Sequence, residues 1–201
     1  MFEFTDCVKY LPWIGEAYND GFNGTRILVI GDSHYGKAPG KECDFTCDVL
    51  QMHLSGKQRI SFFTNIARAI TGVPNDELDQ EEFWKCVAFY NYVQESVEEA
   101  RSRPTAEQGV SAQVTFEEII NKLQPDKIIM LGNFVWDMTP SSGYEGESVC
   151  SDVTDKRMRT WHYPIESGKI IFTGKMEHPS SGGFSGDAWH PVVKKFLECE
   201  N

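Results

Sequence analysis

Several spacings that would assign a class quickly are missing from this sequence. Its six cysteines, at 7, 43, 47, 86, 150 and 199, contain no C-x-x-C pair; the nearest two, Cys43 and Cys47, lie one helical turn apart. That argues against a zinc ribbon, an iron–sulfur cradle or a disulfide framework. Free thiols in a cytoplasmic protein are the expectation, with no metal and no cofactor. The longest apolar run is about five residues, far short of the ~20 needed to span a bilayer, so no membrane partner is expected. The opening MFEFTDCVKY carries acids at Glu3 and Asp6 where a signal peptide has basic residues, so no secretory leader is expected. Positive charge is scarce: 19 Lys and Arg against 30 Asp and Glu give a net charge of −11. A nonspecific polyanion binder is therefore disfavoured, although a local neutral or basic groove is compatible with that total.

What is present suits one globular domain over residues 1–201, since 40% of residues are hydrophobic and 12% aromatic. Repeats, low-complexity tracts and linkers are missing. The chain is organised around RILVIGDSHYG, residues 26–36. Residues 27–31 read as a buried strand, apolar and mostly β-branched up to a glycine. A loop follows at once that places Asp32, Ser33, His34 and Tyr35 between two glycines.

Three more strands are predicted, over residues 85–91 (KCVAFYN), 127–132 (KIIMLG) and 168–174 (GKIIFTG). Residues 81–87 could instead begin helically. Helices are predicted over 44–54, over 60–71 with Ile60, Phe63, Ile66, Ala67 and Ile70 on one stripe, from the N-cap Thr105 to Leu123, and over 187–199. Gly72 and Pro74 stop the second of these. Residues 1–25 read as an aromatic-rich leader packed on the domain, 101–108 as a loop entering a helix, 143–159 as a polar surface excursion, and the acids of 95–99 as a solvated helix face.

Strands separated by helical crossovers imply a parallel sheet. The expected fold is α/β, a three-layer α/β/α arrangement around a central four-stranded, mainly parallel sheet. Ligands in such sheets bind outside the carboxyl ends of the strands. Those ends carry Asp32 to Tyr35, then Asn91, then Gly132 and Asn133, then His178, Pro179, Ser180 and Ser181. Four ends delivering chemically able groups to one edge read as a site. Each residue has a plainer alternative. Asp32 can cap a turn, Asn91 can end a strand, His178 can pack at the surface, and Phe45 can belong to the core. Lys37, Lys41, Lys169 and Lys175 are candidates for a basic patch at this edge.

The order and placement of GDSHYG (31–36), Asn91 in FYNYVQ, and HPSS (178–181) resemble the uracil-DNA glycosylase superfamily, over roughly residues 26–190. RPTAEQ before FEEIINKLQPDKIIMLG is similar to the approach to that family's third strand. The resemblance implies hydrolysis of the N-glycosidic bond of a flipped uracil or modified pyrimidine, with DNA as partner. It implies Asp32 as the carboxylate beside the developing sugar cation and His178 as the group facing the leaving base. Asn91 becomes the base-reading amide, Tyr35 the wall against a 5-methyl group, and Phe45 the stacking ring. Ser180, Ser181 and Gly182 become a neutral pinch on the DNA backbone. Ser33 stands where one branch of the family has its water-activating Asp. His34 replaces the usual Pro and is a further candidate for orienting water.

Two other readings stay open. Gly31-Asp32-Ser33 with Asp187-x-x-His190 is similar to SGNH (GDSL) esterases, which would make Ser33, Asp187 and His190 a triad. A non-catalytic nucleotide- or DNA-binding relative would keep the pocket without the chemistry.

Overall fold

The computed structural model describes residues 2–97 and 105–199. The predicted loop at 101–104 and the end of the acidic run, 98–99, lie outside the described residues.

The chain forms an α/β fold around a seven-stranded mixed sheet. Its strands are β1 (Trp13–Ile14), β2 (Ile27–Gly31), β4 (Val87–Asn91), β6 (Lys127–Leu131), β7 (Tyr144–Cys150), β8 (Arg157–Pro164) and β9 (Ile170–Met176), in the order β1-β4-β2-β6-β9-β8-β7. A separate two-stranded sheet pairs β3 (His34–Tyr35) with β5 (Ser96–Val97) in parallel. Among the described residues six α-helices complete the fold: α1 (Phe45–Leu54), preceded by a 3-10 turn at Glu42–Asp44, α2 (Ser61–Thr71), α3 (Gln80–Lys85), α4 (Ala106–Leu123), α5 (Gly132–Met138) and α6 (Gly186–Glu198).

The four expected strands form the parallel centre, β4-β2-β6-β9. The expectation of a sheet limited to four, mainly parallel strands is corrected on both flanks. Trp13–Ile14 of the leader adds to β4 antiparallel, β8 adds to β9 antiparallel, and β7 adds to β8 antiparallel at the far edge. The region expected as a surface excursion holds all of β7 and the start of β8. Along β7 one residue of seven is buried, so the strand lacks an apolar stripe and is held by backbone pairing. The described part of the acidic run, Glu95 to Val97, is not helical: Ser96–Val97 pair with His34–Tyr35 of the GDSHYG loop.

The central strand β2 is buried along its length and divides its side chains between two cores. Ile27 and Val29 join Leu50, Phe63, Ile66, Trp84, Val192 and Phe196 from α1, α2, α3 and α6. Leu28 and Ile30 join Phe116, Ile119 and Leu123 of α4, with Val8 and Tyr18 of the leader. Each such apolar side chain contributes roughly 1.5–3 kcal/mol on burial, so the unbroken apolar run is what fixes β2 between two helical layers. The helix ends follow their local signals. Thr105 Oγ1 accepts from the Gln108 amide at 3.2 Å while Gln108 Oε1 accepts from the Thr105 amide at 2.8 Å. Gly72 closes α2 in the left-handed region, φ 72°. Among the described residues no helix is long and apolar enough to cross a membrane.

Candidate functional site

The exits of β2 and β4 are tied together before any side chain is considered. The Tyr92 amide donates to the Gly31 carbonyl at 2.8 Å, and the Val93 amide to the Asp32 carbonyl at 2.9 Å. Asp32 and Asn91 therefore leave the sheet side by side. His178 arrives from the loop after β9, against the start of α5. Gly132 stands there at φ +92°, and a Cβ on it would lie 3.3 Å from His178 Cβ. Only glycine takes that backbone at little cost, which lets the histidine reach the same edge.

These three residues surround one cavity of about 300 Å³, which Ser33, His34, Tyr35, Phe45, Phe62 and Ser180 also help to line. His178 Nε2 is 3.9 Å from Asp32 Oδ2. The Ser180 amide donates to His178 Nδ1 at 3.2 Å, which leaves the proton of the neutral ring on Nε2, facing the cavity. Burial lowers the His178 pKa, so the ring is neutral near pH 7. Phe62 holds it from the side, with centroids 5.4 Å apart, and Asn65 Nδ2 donates to the Pro179 carbonyl at 3.0 Å, anchoring the loop to α2.

Asp32 is the least satisfied member of the group. Its Oδ1 is buried without a hydrogen-bond partner among the described residues, and burial raises its pKa to about 6. A carboxylate short of donors is a strong electrostatic partner for a developing cation and an effective acceptor for a proton of water.

Asn91 is fixed from two sides. Its Nδ2 lies 3.2 and 3.3 Å from the ring nitrogens of His34. A Cβ at position 31 would overlap Asn91 Oδ1, so the glycine that ends β2 is there for room. His34 Nε2 lies 2.9 Å from Thr46 Oγ1, and the imidazole stacks on Phe45 with centroids 4.1 Å apart at 14°. Burial lowers its pKa to about 4. The tautomer that satisfies both neighbours donates from Nε2 to Thr46 and accepts from Asn91 at Nδ1. His34 thus supports Asn91, and both its nitrogens are within reach of protein partners, Thr46 and Asn91.

The remaining expected residues are distributed as follows. Tyr35 is 45% exposed at the cavity mouth rather than packed as an inner wall. Phe45 lines the cavity, but His34 covers one of its faces. Ser180 reaches the cavity, while Ser181 and Gly182 are exposed on the loop beyond it. The structure does not assemble the esterase triad. His190 packs under α2, with Nδ1 3.3 Å from the Ala69 carbonyl. It lines a different cavity with Phe22 and Thr25, which precede β2, whereas Ser33 follows β2. Asp187 pairs with Arg68 at 2.7 Å. Lys169 is also misplaced by the basic-patch expectation. It precedes β9 and bonds Asp126 and the Gln124 carbonyl at the amino edge of the sheet. Lys175 is bound to Asn133 Oδ1 at 2.7 Å.

Phe62 and Thr46 were not expected from the sequence. Phe62 falls off the apolar stripe of α2, and an aromatic out of register at the start of an amphipathic helix was its only signal.

Fold and site together define an α/β protein with a carboxyl–amide–imidazole cavity at the carboxyl edge of its parallel strands. No family model matches the chain. The N,N-dimethylformamidase beta subunit of Alcaligenes sp is 39% identical over 51 residues, which is 25% of this chain and 6% of that protein. The chain thus spans a small fraction of that relative's length, and the match does not show a family.

Proposed function

We propose that this protein is a DNA glycosylase-like hydrolase of the uracil-DNA glycosylase type, acting on the N-glycosidic bond of a flipped uracil or modified pyrimidine. The observation that carries the reading is the convergence of Asp32, Asn91 and His178, from three separate strand ends, on one cavity of base size. The helices on both sheet faces agree with the three-layer α/β/α arrangement that the reading requires.

In this reading the base enters the cavity and presents its polar edge to Asn91, which retains a carbonyl acceptor and one amide proton. His178 Nε2–H donates to the carbonyl oxygen of the leaving base as negative charge collects there. Ionised Asp32 faces the sugar as C1′ becomes cationic. Water then forms the new C1′–O bond as the C1′–N bond breaks. The bonding electrons leave with the base, and the water proton passes to Asp32. The neutral loop of Ser180, Ser181 and Gly182 is assigned to the DNA backbone, a contact that needs no large positive charge.

The test is incubation with oligonucleotides carrying uracil or modified pyrimidines, followed by alkali. Abasic-site cleavage that is lost in Asp32→Asn supports the reading. Tight binding without base release would favour the non-catalytic relative instead.

A further inference from the structure

The cavity has a second character away from its polar edge. Val49 of α1, Ile60 just before α2 and Phe62 in the first turn of α2 line it, and each is apolar yet left partly exposed. Of the lining side chains that α1, α2 and Ile60 contribute, Thr46 is the one polar group, and His34 engages its hydroxyl at 2.9 Å. Water in such a chamber finds few hydrogen-bond partners, and apolar surface is the favourable occupant.

Size points the same way. A single-ring base has eight heavy atoms, and each occupies less than the ~30 Å³ share of a whole water molecule. Such a base therefore takes less than about 240 Å³ by that generous bound, against about 300 Å³ of cavity. Tyr35, the residue expected to close the pocket against a small 5-substituent, stands 45% exposed at the mouth.

We propose that the substrate is a nucleobase carrying a bulky apolar substituent, its polar edge on Asn91 and its substituent in the chamber of Val49, Ile60 and Phe62. This rests on the glycosylase reading and narrows it: unsubstituted uracil is a poor ligand because it leaves the chamber to water.

Fluorescence-polarisation titrations with single-stranded oligonucleotides test it, each carrying one central deoxyuridine, 5-phenyldeoxyuridine, N4-benzyldeoxycytidine or thymidine. Burial of one aromatic ring corresponds to about tenfold or more in affinity, so at least one aryl-substituted base should bind tighter than deoxyuridine by that margin. Val49→Phe and Ile60→Phe, which fill the chamber from different elements, should each reduce that ratio by about tenfold. Their thermal melting confirms folding, and either variant alone suffices. Deoxyuridine bound as tightly as both aryl-substituted bases overturns the inference, as does an unchanged ratio in the folded variants. If uracil release accompanies that result, the glycosylase reading survives. If no modified oligonucleotide is distinguished from thymidine and no base is released, both fail together.

Discussion

His178 Nε2 stands 3.9 Å from Asp32 Oδ2, and the Ser180 amide fixes the tautomer that points an N–H across that gap. One residue leaves β2 and the other follows β9, with β6 between them in the sheet. The gap is too long for a direct hydrogen bond and lies within the cavity. Each group is thus oriented toward a common space without being satisfied by the other, an arrangement suited to partners that act on a third molecule.

The first prediction concerns Asp32 and pH. Its carboxyl has an ordinary value of 3.8 and is raised by burial to about 6. Base release should therefore fall as pH drops through about 6, with a single acid limb in kcat/KM. Asp32→Asn should lower base release by about 10²-fold or more, and the residual rate should lose the acid limb.

Stability should move the opposite way. Between about 4 and 6 the folded state binds more protons at Asp32 than the unfolded chain, so folding weakens as pH rises through that window. The displacement corresponds to at most about 3 kcal/mol. Urea unfolding of Asp32→Asn should show a gain approaching that size at pH 8 and close to none at pH 3. A variant less stable than wild type at pH 8 contradicts this account of the site.

Gly31→Ala tests the seating of Asn91. The added methyl overlaps Asn91 Oδ1 and comes within 3.2 Å of Phe89 Cζ. The expected cost is about 1–3 kcal/mol of stability, with weaker substrate binding as the amide shifts. Unchanged binding in a folded variant would show that Asn91 does not read the base.

His178→Ala should lower kcat by about 10²–10³-fold, the usual effect of losing one donor to a developing oxyanion. Its effect on KM should be smaller. His190→Ala, at the other end of the sheet, should leave base release within about twofold, and a fluorophosphonate probe should not label Ser33.

Much of this was legible from residue patterns. The strands at 27–31 and 127–131 are apolar runs bounded by turn signals, and the stripe of α2 and the cap at Thr105 are strong local signals. The edge strands were not legible. Tyr144–Cys150 is mostly polar because an edge strand pairs through its backbone and buries little. Glu81 to Lys85 belong to α3 and β4 begins at Val87, two residues later than the expected strand; Phe83 and Trp84 suit both a helix and a strand, which blurred that start. At the site, strand-end placement located Asp32, Asn91 and His178. The engagement of His34 by Asn91 and Thr46 depends on α1 folding back over the loop, a tertiary contact with no signature in spacing.

The most direct measurement is alkali-labile cleavage of a uracil- and modified-pyrimidine-containing oligonucleotide panel, with wild-type protein beside Asp32→Asn and His178→Ala. The account predicts abasic sites with at least one modified base for wild type, and losses of about 10²-fold or more in both variants. Absence of abasic sites across the panel, or cleavage that both variants retain, would contradict it.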